Sequence, residues 1–469
     1  MDLKCIFSLT ILVSQISLSS TQNVTVVIQG ATSIGQTDDN FVCATLDWWP
    51  TEKCNYIQCP WGKAGLLNLD LKKKGLINAI KAFNPLRIEV GGSLQDQVVY
   101  GVGRVKNCPN FMKNEDSLFG FSQGCLPMER WDELNKIFNQ TGVKVTFGLN
   151  ALLERNRSQI EKGLWVGDWK SQNARDFMKY TISKGYKVDS YEFGNQLSGA
   201  GMGASVEAKQ YEKDIVVLKN LVKELHPDPK TQPKVLGPSG YYDEKWFNSF
   251  LEVSGHDVVD GATHHIYNLG PDDDPNMITK IQDPSYLNQV AQTYKGVLNI
   301  VNKFKPQSGA WVSESGGALH GGAKDLSPTF ADGFWYLDQL GMASTYNHKV
   351  FCSALLWHRL MGSTVLAVTQ EFNPNLRVFA HCAKKKPGIS TIFINLSKDS
   401  SFNVTLSNYE HQSRSKDREE YHLATLAGNI QGQIVLLNDV PMVPTETFDI
   451  PTMEPKCCAE ACKRVKLLY

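Results

Sequence analysis

The chain has 469 residues, of which 42% are hydrophobic and 20% charged, and its acidic and basic residues are equal in number. This composition excludes a largely disordered chain, and the zero net charge lacks the basic excess of a nucleic-acid-binding protein. The length predicts two or three domains, or one large α/β barrel with an accessory module.

The N-terminus predicts a secretory signal peptide over residues 1–20. Lys4 precedes an apolar run over residues 5–18, and we expect cleavage between Ser19 and Thr21. The run is too short for a transmembrane anchor, and no other run approaches the ~18 apolar residues that a membrane-spanning helix needs. We therefore expect a secreted protein, in the extracellular space or in the lumen of a lysosome or vacuole.

Asparagine sequons agree with this secretory route. Each is an N-x-[ST] motif, the acceptor for N-linked glycosylation. The five expected glycosylation sites are Asn23, Asn139, Asn156, Asn395 and Asn403.

The chain contains eleven cysteines. In an oxidising compartment, Cys108 and Cys125 can close a short loop, and one further bridge is expected among Cys43, Cys54 and Cys59. No CxxC pair is present, so we interpret residues 456–469, with their cysteine cluster, as a disordered basic tail rather than a zinc site.

Short apolar segments alternate with amphipathic helical patterns over residues 38–362, which predicts βα units around a parallel sheet. Seven candidate strands lie at 41–49, 86–92, 143–151, 188–196, 234–240, 260–267 and 309–317. Candidate helices lie at 66–83, 130–142, 173–185, 208–226 and 284–304. We predict a (β/α)8 TIM barrel, whose chemistry lies at the C-terminal strand ends. Those ends carry Asp47, Asn150, Asn195, Gln196, His264, His265, Tyr267 and Glu314.

The eighth βα unit is compressed. Residues 349–352 predict strand eight and residues 353–362 its helix, with almost nothing between them. A strand and the helix that follows it need a turn of about 2–6 residues. We therefore expect the barrel to close badly at this point.

Short alternating runs separated by turn residues follow residue 363, at 375–383, 389–397, 401–407, 419–427 and 432–439. They predict an antiparallel β-sandwich over residues 363–455. The segment 22–37 alternates in the same way before the first barrel strand, so we expect it to join this sandwich.

Seven stretches together resemble the plant heparanase-like proteins, glycoside hydrolases related to animal heparanase and to β-glucuronidases. They are "TDDNFVCATLDWWP", "LRIEVGGSLQD", "GFSQGCLPMERWDELN", "YEFGNQLSG", "THHIYNLGP", "WVSESGGA" and "FWYLDQLGMAS". The resemblance implies a barrel with a sandwich built from both termini, and retaining hydrolysis of β-glucuronides by two carboxyl groups about 5–5.5 Å apart. It implies no cofactor and no metal.

The resemblance also implies roles for individual residues. Glu314 matches the family nucleophile, and Gln196 stands at the position of the acid/base glutamate. Residues matching the substrate pocket are Asp47, Ser93, Asn195 and Tyr267. The implied partners are glycans that contain glucuronic acid, proteoglycans or small glucuronides, and the protein can associate peripherally with a membrane or cell wall.

Three departures from the family pattern surround this pocket. Gln196 has no acidic proton, and general acid–base catalysis contributes about 10²–10⁴ in rate. Leu319 stands where relatives usually have a tyrosine, in a loop that contacts the substrate carboxylate. Relatives also carry roughly two dozen residues between strand eight and its helix that are missing here. The compressed turn of the eighth βα unit is consistent with this gap. This gap and the divergent C-terminus favour a variant transcript or gene model.

Neighbouring side chains offer alternatives that we judge weaker. Glu192 shares a strand face with Gln196 but would lie about 13 Å deeper, too far to replace the missing acid, so we expect a buried supporting role. His264 and His265 point to opposite strand faces, which disfavours a shared metal and favours core and pocket roles. The lysine triplets at 72–74 and 384–386 are too sparse to predict a heparan sulfate cleft.

Two functions therefore remain open from the sequence. One is a secreted β-glucuronidase-type hydrolase, impaired by Gln196. The other is an inactive relative that binds glycans containing glucuronic acid. A substitution introduced to trap substrate would leave the same glutamine.

Overall fold

The structure, a computed structural model, describes residues 20–54, 61–199, 201–254, 256–304, 306–352, 355–371, 373–407, 418–458 and 464–467. Residues 1–19 of the expected signal peptide, and Cys59, lie outside these residues. Within them, no helix is long and apolar enough to cross a membrane.

Eight parallel strands close into a barrel, which confirms the predicted (β/α)8 fold. The strands are β1 (Val42–Asp47), β2 (Arg87–Gly91), β3 (Lys144–Leu149), β4 (Ser190–Phe193), β5 (Lys234–Gly240), β6 (Gly261–Gly270), β7 (Ala310–Ala318) and β8 (His348–Cys352). Each pairs with its sequence neighbours, and β8 pairs with β1. The C-terminal ends of all eight strands therefore meet at one mouth.

A helix follows every barrel strand. These helices are α1 (Lys74–Phe83), α2 (Met128–Thr141), α3 (Gln172–Ser183), α4 (Ala208–Leu225), α5 (Glu244–Ser254), α6 (Ala291–Phe304), α7 (Phe330–Thr345) and α8 (Leu355–Leu360). The predicted helix over 284–304 is divided into Pro284–Leu287, a 3-10 turn at Asn288–Val290, and α6. Further short helical turns are Trp61–Ala64, Gln95–Gln97, Leu118–Gly120, Met277–Ile281 and Leu426–Gly428.

The first helix begins eight residues later than its apolar pattern predicts. Leu66 donates its backbone N–H to the carbonyl of Asp47 at 2.7 Å, so the segment bends back to the barrel mouth. The Arg130 guanidinium then donates to the carbonyls of Leu66 at 2.9 Å and Leu69 at 2.6 Å. These carbonyls are consequently unavailable to a helical ladder, which explains the late start.

The barrel closes in spite of the compressed eighth unit, so the expectation of poor closure was wrong. β8 pairs with β7 at Ala310↔His348 and with β1 as far as Cys43↔Cys352. β1 continues to Asp47, and no described strand pairs with Ala44–Asp47 from the side of β8. β1 and β8 thus pair at the N-terminal end of β1 but not towards the mouth, where Thr45 is exposed.

A separate six-stranded sheet combines both ends of the chain, as predicted. Its strands, in spatial order, are Ile389–Asn395, Leu376–Ala383, Met361–Gln370, Ser20–Gln36, Ser400–Ser407 and Arg464–Leu467. The N-terminal strand is antiparallel to 361–370 but parallel to 400–407, so the sheet is mixed rather than fully antiparallel. The strand Met361–Gln370 was not predicted, because its first two residues were assigned to the eighth helix.

The last segments form small sheets beside this one. Leu423–Thr425, Val435–Leu437 and Val440–Pro441 make a three-stranded sheet, and Arg418–Glu420 pairs with Lys456–Cys458. The expected disordered tail therefore contains two paired strands, because 464–467 also pairs with Ser400–Ser407. Two short pairings complete the strands: Val98–Tyr100 with Gly124–Leu126, and Asn156–Arg157 with Trp165–Val166.

One predicted disulfide is present among the described residues. Cys108 is bonded to Cys125, as predicted, and this bridge joins the loop after β2 to the strand before α2. Cys43 and Cys54 each take part in a disulfide as well.

A buried ion pair fixes the loop after β3 against α4. The Arg155 guanidinium contacts Asp214, and the two side chains are 0% and 3% exposed. Arg155 also donates to the carbonyl of Ala151 at 2.7 Å, and Asp214 accepts the backbone N–H of Trp169 at 3.1 Å. Because every charged atom here is far from water, loss of one partner leaves the other charge uncompensated.

We predict that Arg155→Ala lowers the free energy of unfolding by about 3–5 kcal/mol, measured by urea denaturation. The control is Arg175→Ala, which removes a partly exposed arginine–glutamate contact with Glu224. It should leave the urea midpoint unchanged, since exposed ion pairs contribute little. Equal effects of the two substitutions would contradict the role assigned to the buried pair.

Candidate active site

The polar residues expected at the strand ends lie around one mouth of the barrel. Glu314 lies on β7, Tyr267 on β6 and Asp47 at the end of β1, while Gln196 follows β4. Ser93 lies in the turn directly after β2. Three strands and two turns thus supply the site, which is the arrangement that a (β/α)8 barrel gives its ligands.

Glu314 is held by the neighbouring strand. The Tyr267 hydroxyl donates a hydrogen bond to Glu314 Oε1 at 2.7 Å. The tyrosine ring fits because residue 316 is glycine: a Cβ there would lie 2.7 Å from the ring. Burial and the charge of Glu314 raise the pKa of the Tyr267 phenol well above its ordinary range. The phenol therefore stays protonated beside the carboxylate.

Gln196 lies just beyond β4, in a left-handed backbone conformation with φ of 55°. Its backbone N–H donates to the carbonyl of Ser239 at 2.6 Å, which fixes this strained turn against β5. The side-chain amide Nε2 donates to His265 Nδ1 at 3.0 Å. The side chain is only 7% exposed, so its orientation is set by the protein rather than by water.

His265 connects the two corners of the site. Because Nδ1 accepts from Gln196, the ring proton is on Nε2, which donates to Ser239 Oγ at 2.9 Å. The same Nδ1 lies 3.9 Å from Glu314 Oε1. Gln196 Nε2 and Glu314 Oε1 are therefore at most about 7 Å apart, the sum of the two distances.

His264 lies on the other side of β6. Its Nε2 is 2.8 Å from Nε2 of His348, and both rings are fully buried. The adjacent histidines thus occupy a core position and a pocket position. Among the described residues, no group of three metal-ligating side chains comes together.

Asp47 packs directly on the turn that contains Ser93. A Cβ at Gly92, where φ is 98°, would lie 2.5 Å from the Asp47 carboxyl group, so only glycine fits there. The Trp48 backbone N–H donates to Asp47 Oδ1 at 2.6 Å. Burial, followed by the charge of Glu314, raises the pKa of Asp47 to about 8. Asp47 is therefore mainly neutral at pH 7.

A cation lies above Asp47 at the mouth. Lys53 Nζ lies 4.4 Å from the centre of the Trp49 ring, within the range of a cation–π contact. Burial lowers the pKa of Lys53, while the charge of Asp47 acts in the opposite direction.

Leu319, directly after β7, donates its backbone N–H to the carbonyl of Gly270 at 3.0 Å.

Asn195 presents an unused acceptor. Its backbone N–H donates to Asp96 Oδ2 at 2.8 Å, and Asp96 Oδ1 accepts the N–H of Ala151 at 2.7 Å. Burial raises the pKa of Asp96 to about 7, although these hydrogen bonds oppose the shift. The Asn195 side-chain Oδ1 is buried and has no partner among the described residues. Asn150, by contrast, uses its amide internally, donating to the Val98 carbonyl at 2.9 Å.

A second carboxyl pair lies deeper in the barrel. Glu89 on β2 and Glu192 on β4 are 2% and 0% exposed. Burial and the charge of Glu192 hold the pKa of Glu89 well above its usual range, and Thr45 donates to Glu89 Oε2 at 3.1 Å. Glu192 thus has the buried supporting role expected of it, although β4 ends at Phe193 and a strand-based distance to Gln196 does not apply.

Sequence reasoning missed Glu89, Ser239 and Tyr241 as part of this site. A lone carboxylate within the apolar strand "LRIEVGG" was the available signal for Glu89. The Tyr241 ring lies 6.5 Å from that of Tyr267, and its pKa is raised by burial and by Glu314. Neither Ser239 nor Tyr241 stands out from the sequence pattern around β5.

The expected glycosylation sites differ in accessibility. Asn23, Asn139 and Asn156 are exposed. Asn395 is half-buried and donates its amide to the Ser400 carbonyl at 2.9 Å. Asn403 donates to Asn23 at 3.3 Å from the paired strand, so these two asparagines are immediate neighbours.

Comparison with known proteins agrees with this architecture. Residues 23–341 match the family model described as glycosyl hydrolase family 79, N-terminal domain. Heparanase-like protein 2 from Arabidopsis thaliana is 46% identical over 490 aligned positions, which cover 93% of this chain and 90% of that protein. The alignment is longer than the 469-residue chain, so the relative contains residues that have no counterpart here.

Two further similarities bear on the family and on the fold. Baicalin-beta-D-glucuronidase from Scutellaria baicalensis is 36% identical, over 90% of this chain and 86% of that protein. A 4-O-alpha-L-rhamnosyl-beta-D-glucuronidase from Fusarium oxysporum superposes with a TM-score of 0.63 at 13% identity, covering 94% and 97% of the two chains, a likeness of fold alone. The resemblance seen in the sequence is confirmed: the chain belongs to glycosyl hydrolase family 79, a family of glycosidases.

Proposed function

We propose that this chain cleaves β-glucuronides by a retaining double displacement in which Glu314 is the nucleophile and Gln196 occupies the acid/base position. The observation that carries this proposal is the single imidazole of His265, which contacts Gln196 at 3.0 Å and lies 3.9 Å from Glu314. The resulting limit of about 7 Å includes the carboxyl spacing of retaining enzymes and nearly excludes the wider spacing of inverting ones.

Glu314 is prepared for nucleophilic attack. Its Oε1 accepts from Tyr267, and this hydrogen bond orients the carboxylate without transferring a proton, because the phenol pKa is raised. In the first step the carboxylate attacks C1 of the sugar and forms a glycosyl ester. In the second step, water releases the sugar with retained configuration.

Gln196 makes both steps slow for ordinary substrates. The amide has no proton to give to the leaving oxygen and no basic site to accept one from water. The missing general acid–base contribution is about 10²–10⁴ in rate. The first step should survive best when the leaving group is a stable anion, since such a group departs without protonation.

The charge of the pocket is compatible with a glucuronide, although Glu314 by itself would repel the carboxylate of the sugar. Asp47 is mainly neutral below about pH 8, so a sugar carboxylate would meet one negative side chain fewer. Lys53 lies above Trp49 near Asp47 and would partly balance the sugar carboxylate. The name of the Scutellaria relative supports glucuronides as the substrate class, and Asn195 Oδ1 is a free acceptor for a sugar hydroxyl.

The second candidate function is binding of glycans that contain glucuronic acid, without turnover. It is favoured by the burial of Gln196 and by its hydrogen bond to His265, because these hold the amide in position without any proton transfer.

Secretion and glycosylation at the exposed asparagines are part of the same proposal. The disulfides at Cys43, Cys54 and Cys108 support an oxidising compartment.

We predict that Gln196→Glu raises kcat/KM on an alkyl β-glucuronide by about 10²–10⁴, because it restores the proton donor. On dinitrophenyl β-glucuronide, whose leaving group needs no proton, the gain in the rate of the first step should be less than about tenfold. The two rates are measured by steady-state and pre-steady-state release of the leaving group.

Glu314→Gln in the Gln196→Glu background is the control and should remove both activities. If Gln196→Glu is folded and binds glucuronides but turns over neither substrate, the glycan-binding function replaces the hydrolase. An equal gain on both substrates would contradict the acid/base assignment of position 196.

Asp47 predicts a pH dependence of substrate affinity. Its raised pKa of about 8 means that it gains a negative charge as the pH rises through that value. The KM of Gln196→Glu for an aryl β-glucuronide should therefore rise between about pH 7 and pH 9, because the substrate carboxylate is repelled. Asp47→Asn in the same background should remove this rise, whatever its effect on KM at pH 7. A KM profile unchanged by Asp47→Asn would show that another group causes it.

A further inference from the structure

Among the described residues, the groups around Gln196 and Glu314 include no free base on the side of the leaving group. Gln196 is an amide, and its Nε2 already donates to His265 Nδ1. That hydrogen bond occupies the only basic nitrogen of the His265 ring, since Nε2 carries the proton and donates to Ser239. Neither side chain can therefore accept a proton from an attacking water.

The remaining ionisable groups cannot replace that base. Tyr267 and Tyr241 have pKa values raised above the ordinary phenol range, so both remain neutral donors. Glu89 and Glu192 are buried below the mouth. Asp47 lies on β1, three strands from β4 in the barrel order, and is mainly protonated at neutral pH.

The sugar ester on Glu314 would consequently decay slowly in water, yet it would remain reactive towards a nucleophile that carries no proton to remove. We propose that this chain is a glucuronosyl transferase for preformed anionic acceptors, thiolates and carboxylates, with donors whose leaving groups depart as anions, such as acyl glucuronides and glucuronides of acidic phenols. This inference rests on the proposed function, because it requires the ester on Glu314.

The two steps balance without an acid or a base. In the first, a Glu314 carboxylate oxygen forms a bond to C1 while the bond from C1 to the leaving oxygen breaks, and that oxygen keeps the electron pair. In the second, the acceptor anion forms a bond to C1 while the ester bond breaks, and Glu314 is again a carboxylate. The products are the β-glucuronide of the acceptor and the anion of the leaving group, so no proton is exchanged with Gln196.

The charge of the pocket favours an anionic acceptor at this stage. Esterification removes the negative charge of Glu314, and Asp47 stays neutral because burial, the larger cause of its raised pKa, persists. A glutamate at position 196 would add a negative charge beside the incoming anion, which the amide does not. The neutral Gln196 thus admits an acceptor that an ordinary retaining hydrolase would repel.

The test uses the full-length chain with dinitrophenyl β-glucuronide and azide, an anion that needs no deprotonation. Azide should increase steady-state release of dinitrophenolate by about tenfold or more, because it replaces the slow attack by water. The product should be the β-configured glucuronyl azide, identified by mass spectrometry and by its NMR coupling constant. An aromatic thiol that is already ionised near neutral pH, where Asp47 is mainly protonated, should give the β-thioglucuronide.

Gln196→Glu is the matched control, since it differs by one nearly isosteric group. Azide should change its rate by less than about twofold, because general-base attack by water then competes. If azide gives no glucuronyl product while a sugar ester on Glu314 is detected, the transfer proposal is overturned and the proposed function stands. An α-configured azide, or equal acceleration of both proteins, would also overturn the transfer proposal. Absence of the Glu314 ester itself would overturn the proposed function.

Discussion

The site depends on the position of one neutral imidazole. His265 accepts a hydrogen bond from Gln196 and donates one to Ser239, so the ring cannot rotate without breaking both. It lies in register with Glu314 on the neighbouring strand. The left-handed turn at Gln196 is secured through the same residue, Ser239, by its backbone carbonyl. Strands β4, β5, β6 and β7 are therefore coupled at the mouth through one side chain.

Burial of carboxyl groups is the second constraint. Asp47, Asp96 and Glu89 all have raised pKa values, and desolvation is the largest cause for each. The barrel tolerates them because each is neutral or hydrogen-bonded: Asp96 accepts two backbone N–H groups, and Glu89 accepts from Thr45. This leaves Glu314 as the principal charge beside the substrate, oriented by Tyr267. The proposed nucleophile is thus retained in a pocket whose proposed acid/base position holds an amide.

Much of this architecture follows from the sequence. The seven alternating strands were predictable because each buried strand is short, apolar and followed by a helix, and family motifs identified Glu314 and Gln196. The late start of α1 was not predictable, because it depends on Arg130 from another unit of the barrel. Strand 361–370 was hidden because it follows α8 without a break. Glu89, Ser239 and Tyr241 enter the site only through contacts between strands, which local patterns do not contain.

The central claim is that Glu314 forms a covalent bond to the sugar although position 196 cannot transfer a proton. The most direct measurement is mass spectrometry of the unaltered chain after brief incubation with dinitrophenyl β-glucuronide, followed by peptide mapping. The account predicts an added mass of one glucuronosyl group on the peptide that contains Glu314, persisting because water attack is slow. A folded protein that binds the glucuronide but acquires no adduct, or acquires it at another residue, would contradict the account.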